Sequence, residues 1–206
     1  MTDVAGVTVT GQGSASAVPD VFVVDVASEA SAADPGAAFH GASSGLEAII
    51  AAARAAGIAP EDLRSGEMSL WNDHDREGRP HGFRASLRLE VRVRPIDRAG
   101  EVLAALVAAG GDAARVQGTR FEHSDVEGLT SLARDAAFAD ALARAQRYAG
   151  LAGRPLGLLE AVVEGGAPGA PRPMATRMAL AEAAGPPVEA GALTVSASVT
   201  VHWAWA

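Results

Sequence analysis

Ser43, in the stretch GASSG at residues 41 to 45, stands at the G-x-S-x-G spacing that in some hydrolases lifts a nucleophilic hydroxyl on a sharp strand-to-helix turn. That chemistry needs a base and an orienting acid. Asp125 and His202 are of suitable types, but no spacing groups them with Ser43, and DPGAAFH before it reads as a helix start rather than a strand. The stretch GQGSAS has the look of a dinucleotide-binding glycine loop. Ser16, however, stands where the third glycine belongs, and a strand rather than a helix N-terminus follows, so the phosphate-binding geometry is missing. Five histidines, His40, His74, His81, His123 and His202, are borderline metal ligands, and NDHD at 72 to 75 sets hard donors beside one of them. A zinc site draws its ligands from separate elements, and clustered Asn and Asp in a turn serve backbone hydrogen bonding. These readings assign no catalytic, cofactor-binding or metal-binding residue, and no cofactor is expected.

Two sets of residues point instead to a partner. Arg84, Arg88, Arg92 and Arg94 line one side of an alternating run and are of a type to grip an anionic partner, although Glu90 interrupts the row and charged strand faces also serve to prevent edge aggregation. Trp203 and Trp205 end the chain, where two exposed indoles would be costly, so they are candidates for a subunit contact or for the core.

Composition narrows the classes. The 206 residues suffice for a sizeable core, there is no cysteine for a disulfide, and 17 basic against 25 acidic residues leave a formal charge of -8. That charge opposes attraction to phosphate backbones, so no nucleic-acid partner is expected. No apolar run reaches the roughly 20 residues of a membrane span, and MTDVAGVTVTG has neither the basic nor the apolar region of a secretion signal. The expectation is a soluble, cytoplasmic protein.

The elements that would position such residues follow from periodicity. Val7 and Val9 alternate with threonines before Gly11 and Gly13, and an apolar run from Val21 to Val26 follows, which reads as two strands joined through bulge-prone or closely approached backbone. Asp34 and Pro35 open a helix that stops near Gly57. Residues 67 to 94 read as a hairpin, with Ala85, Leu87, Leu89, Val91 and Val93 on one face of its second arm. A helix at about 97 to 109, a strand at 115 to 123 and a long helix at about 126 to 150 come next, the last with Leu129, Leu132, Ala136, Ala139 and Ala143 at three- and four-residue steps. After a strand at 156 to 163, residues 165 to 190 are rich in Gly and Pro and read as a mobile loop. The final strand sets Leu193, Val195, Ala197, Val199, Val201, Trp203 and Trp205 on one face, which predicts a central strand. The order ββαββαβαββ predicts an α+β fold, helices on a largely antiparallel sheet, as a single domain over 1 to 206.

Three stretches in this order carry a family resemblance. VTVTGQGSASAVPDV resembles the opening of the SIMPL domain, also called DUF541. ARDAAFADALARAQRYAGLAGRPLGLLEAVVE, with Gly153, Leu156 and Gly157, is similar to that family's alanine-rich helix and following strand, and PPVEAGALTVSASVTVHWAW to its closing strand. The resemblance covers essentially the whole chain. It implies a homo-oligomeric or scaffold protein, stress-linked or interacting with a protein partner and without defined chemistry; family members are often exported. The alternative expectation is a small-molecule-binding module or enzyme with its site where strand ends meet the 165 to 190 loop.

Overall fold

A computed structural model describes residues 5–74, 77–165, 172–174 and 191–206. In chain order the elements are β1 (Gly6–Ala17), β2 (Val21–Ala32), α1 (Pro35–Ala55), β3 (Leu63–His74), β4 (Pro80–Val93), α2 (Ala99–Gly110), β5 (Ala114–Glu122), α3 (Val126–Ala152), β6 (Leu156–Gly165), β7 (Arg172–Met174) and β8 (Ala192–Trp205). This is the expected order with one short strand added. The strand pairs are antiparallel, in two four-stranded sheets, and the chain divides into two compact units. Apart from Gly165 and β7, the loop expected at 165 to 190 lies outside the described residues.

The second unit contains β2 to β5 with α1 and α2, its strands ordered β3-β4-β2-β5. Asp34 caps α1 by accepting a hydrogen bond from the Ala37 N–H at 2.9 Å, with Pro35 in the first turn, and Gly57 beyond the helix takes the left-handed φ of 82° that a side chain would resist. The α1 stripe Ala38, Ala42, Leu46, Ile49 and Ala53 packs with Val102 and Leu106 of α2 onto Phe22, Val24 and Val26 of β2 and Leu87, Leu89 and Val91 of β4. Each large aliphatic side chain buried there contributes about 1.5–3 kcal/mol. The β4 alternation is as expected. β2, an inner strand between β4 and β5, also buries Val21, Val23 and Ala27 on the face turned away from the helices.

The first unit contains β1, α3, β6, β7 and β8, with β8 central between β1 and β6. The opening strands therefore do not form a pair with each other: β1 runs against β8 from Gly6 opposite Ala204 to Ala17 opposite Leu193, without a bulge. Val9 of β1 shares the apolar face of Val195, Val199 and Val201 beneath α3, whereas β2 needs a neighbour on each side. Of the two roles open to Gly11 and Gly13, close approach is the one used. A Cβ on Gly11 would stand 2.1 Å from the Ala137 carbonyl oxygen, and one on Gly13 2.2 Å from that of Ala133.

The buried row of α3 differs from the expected one. It is Leu129, Ala133, Ala137, Ala141, Ala145 and Ala149, at a strict four-residue step, while Leu132 is 59% exposed and Ala136, Ala139 and Ala143 face outward. Backbone-to-backbone approach selects a ridge of small residues rather than the most apolar arc. Asp125 caps α3 through the Gly128 N–H at 2.7 Å, and Gly153 ends it at φ 63°. No helix among the described residues is long and apolar enough to cross a membrane.

Candidate functional site

The sheet face of the second unit that turns away from α1 and α2 carries charges of both signs. The chain has no lysine, so each cation there is a planar guanidinium able to bridge carboxylates. Arg120 of β5 donates to Glu90 at 2.6 Å, Glu122 at 2.8 Å and Asp25 at 2.9 Å, joining β4, β5 and β2. Arg92 donates to Glu122 at 2.5 Å and lies 3.8 Å from Glu90. Arg115 stands 3.4 Å from Glu29. In register, Val23 lies between Arg92 and Arg120 and Ala27 between Arg88 and Arg115, an arrangement in which arginine stems cover apolar backbone positions beneath their charged heads.

The expected arginine row is thus largely engaged within its own sheet. Arg84 donates to Asp73 at 2.9 Å, Arg94 to Asp62 at 3.2 Å, and Arg92 joins the Arg120 cluster. Arg88 is held loosely, 3.9 Å from Glu67. The hydrogen bond from Arg84 holds the Asp73 carboxyl below its usual range. Burial works against the Arg120 charge, but its bonds to Glu90 and Glu122 outweigh that and raise its pKa. Both groups stay ionised at neutral pH and act as fixed charges, not as proton carriers. At the β3 end of this face a cavity of about 470 Å³ is lined by charges of both signs, Asp25, Glu67 and Glu90 against Arg64 and Arg88, with Ser65, Gly66 and Leu89.

The first unit has a smaller groove of about 300 Å³ along α3, lined by Phe138, Val162, Ala197 and Val199 and bordered by the Arg134–Glu164 pair at 2.7 Å. Its two sheet edges differ. On β1, α3 satisfies the outer backbone directly: Asp140 accepts from the Gln12 N–H at 2.9 Å and Arg144 donates to the Thr10 carbonyl at 3.1 Å. The Gln12 bond, followed by Arg144, holds the Asp140 carboxyl below its usual range. On β6 the side chains Leu158, Leu159, Val162 and Val163 are exposed on both faces.

Of the two roles open to Trp203, the core is the one used: it is 4% exposed, inside its own unit with its ring 6.2 Å from that of Phe138. Trp205 is half-buried under the Arg154 guanidinium, 5.4 Å from the ring centre. Ser43 lies inside α1, about two turns past the strand-to-helix junction at its start, so the nucleophile elbow is absent at Ser43. Of the histidines, His202 faces Thr8 at 2.8 Å and Glu160 at 3.3 Å, and His123 accepts from the Asp125 N–H. Asp73 of the NDHD stretch accepts from the His74 N–H at 3.1 Å.

Reading by period missed Arg120, the apolar β6 and the exposed Met68, Leu70 and Trp71 of β3. The usable signal was the failure of alternation: LLEAVVE sets apolar residues in adjacent pairs, and SLW does so in β3, which leaves one of each pair without a core to face.

A family model described as SIMPL, protein of unknown function (DUF541), matches residues 7–203. Two relatives, each named a 26 kDa periplasmic immunogenic protein, from Brucella melitensis and Brucella abortus, are 27% identical over 217 residues, covering 97% of this chain and 84% of theirs. A crystal structure of an unknown protein from Galdieria sulphuraria matches at 14% identity over 88% of this chain and 81% of that one, with a TM-score of 0.26. The relatives correct the expectation of a cytoplasmic protein, since both are named periplasmic.

Proposed function

The chain belongs to the SIMPL family, and from that premise we propose that it is a non-enzymatic interaction protein that self-associates through the edge strand β6, in a periplasmic setting like that named for its relatives. The observation that carries this reading is the contrast between the two edges of one sheet. The β1 edge is closed by Asp140 and Arg144, while β6 presents Leu158 at 81% exposure and Val163 at 60% on an edge that no described strand covers. Open apolar strand edges pair with another copy unless they are blunted. The fixed charges of the second unit and the placement of Ser43 inside a helix support a role without acid, base or nucleophile. Light scattering after size exclusion tests it: an oligomer is expected for the wild type and a monomer for Leu158→Lys/Val163→Lys. A wild-type monomer would overturn the reading, and an oligomer that persists in the double variant would remove β6 as the contact.

A further inference from the structure

The way α3 is held leaves a trough in the first unit. Gly11 and Gly13 let the helix backbone close onto β1, so the helix lies over β1 and β8 and scarcely reaches β6. Leu159 and Val162 of β6 stand opposite Trp203 and Val201 and so share the helix-side face, yet they are 47% and 51% exposed where their neighbours on β8 are buried. The groove of about 300 Å³ is the space between helix and outer strand. Ala197 and Val199 of β8 form its floor, with Phe138 of α3 on one side and Val162 on the other.

Charge and an aromatic ring distinguish what this groove accepts. Its lining has three charged side chains, Arg134, Asp135 and Glu164. Arg134 and Glu164 bond to each other at 2.7 Å, from α3 to β6, and so cancel. Asp135 is left over, with no cationic partner among the described residues, and the lining carries one net negative charge. Phe138 follows it three positions along the same helix, its ring 37% exposed and backed by Trp203. Side chains three apart on a helix are neighbours, so a cation held at Asp135 also comes within reach of the Phe138 ring, whose face attracts positive charge. A carboxylate ligand would meet Asp135 and Glu164, and a neutral one would leave Asp135 unpaired. The volume stands at the low end of the roughly 300–1,000 Å³ of ligand sites, which suits a small molecule.

We propose that this groove binds a small organic amine, its ammonium group at the Asp135 carboxylate beside the Phe138 ring and its short apolar chain along Val162, Ala197 and Val199. The ammonium donates its hydrogen bonds to Asp135, and the chain covers aliphatic surface that is otherwise wet. The Arg134–Glu164 pair marks one end of the groove and stays intact. The site calls for no proton transfer, and it is built within one chain, so it is separate from the β6 contact.

The test follows the amide NMR spectrum of the isotope-labelled full-length protein during titration with hexylamine, hexanol and hexanoate, which share a chain and differ in charge. Saturable shifts at Phe138 and at Ala197–Val199 are expected with hexylamine, at a Kd on the order of a millimolar. Hexanol should bind roughly five-fold more weakly, the effect of one exposed ion pair with a ring contact, and hexanoate more weakly still. Asp135→Asn should bring hexylamine down to the level of hexanol and leave hexanol unchanged. Glu47→Gln, which removes the same charge from an exposed position of α1, should alter neither. Hexylamine and hexanol bound equally, or an Asp135→Asn protein that keeps the preference, would overturn the proposal. So would an equal loss in Glu47→Gln, which would mean attraction to the net charge of the chain only, or hexylamine shifts confined to residues outside the groove. The preference for hexylamine over hexanol should survive in the Leu158→Lys/Val163→Lys variant, so failure of the β6 reading leaves this result distinct.

Discussion

The two units solve the same packing problem, one face of a four-stranded antiparallel sheet against helix, by opposite means. The second fills its interior with bulk: Phe22, Ile49, Leu89 and Leu106 are almost wholly buried between α1, α2 and the sheet. The first removes atoms instead. Alanines on α3 meet glycines on β1, and the helix backbone comes so near that Ala137 O and Ala141 N occupy the space of a missing Gly11 side chain. A filled core tolerates small adjustments of its side chains; a core of touching backbones has none to adjust.

The largest effect that comparison predicts is in the first unit. Gly11→Val forces three carbons against backbone that cannot rotate away, and a loss above about 3 kcal/mol is expected in urea denaturation. A variant within about 1 kcal/mol of the parent would mean that the helix does not rest on β1. Next comes the cavity mutation of the other strategy: Ile49→Ala, fully buried, should cost about 3 kcal/mol by loss of apolar burial and incomplete collapse. Gly45→Ala sharpens the contrast, because there the nearest atom is the Ser28 hydroxyl oxygen at 2.4 Å, the end of a side chain that can turn. Its Cβ also favours helix, so a change within about 1 kcal/mol is expected; a loss as large as that of Gly11→Val would erase the distinction between the units.

The smallest effect is at the closed β1 edge. The native carboxyl of Asp140 is held below its unfolded value of about 3.9, so it adds stability that is present above that pH and lost as pH falls through the lower native value. Asp140→Asn should therefore lower the urea midpoint slightly at neutral pH, and the two proteins should converge as the solution is acidified through that window. A gap that stays constant down to pH 2 would show that the carboxylate charge is not what holds Gln12.

Much of this was legible in the chain. The alternation of β4 and β8 and the Asp34-Pro35 start of α1 follow from local rules, and the centrality of β8 follows from its fully apolar face. What escaped has a common physical cause, dependence on distant neighbours. Arg92 meets Glu122 from 30 residues away and Arg120 meets Asp25 from 95, so a row that reads as free cation is neutralised by strands that only the register brings alongside. The open strands β3 and β6 escaped because the helices lie over the other strands, β2, β4 and β5 in one unit and β1 and β8 in the other, and which strands are covered is a property of assembly. Which of its two readings Trp203 would take, core or contact, could not be read locally either, because Phe138 and the alanine row of α3 that enclose it lie far along the chain.

The alanine row has a consequence for how the chain can change length. Gly11 and Gly13 are two residues apart, and the helix atoms they meet are displaced by four, from the Ala137–Ala141 turn to the Ala133–Ala137 turn. Two strand residues advance about 6.6 Å and four helix residues about 6 Å, so strand and helix mesh like racks of matched pitch. A single inserted residue in α3 between Leu129 and Ala149 would turn every later alanine off the sheet, whereas four inserted there together with two in β1 and two in β8 would restore the mesh. Insertions and deletions accepted in this region should therefore come in those linked sets, with four helical positions to every two in each strand.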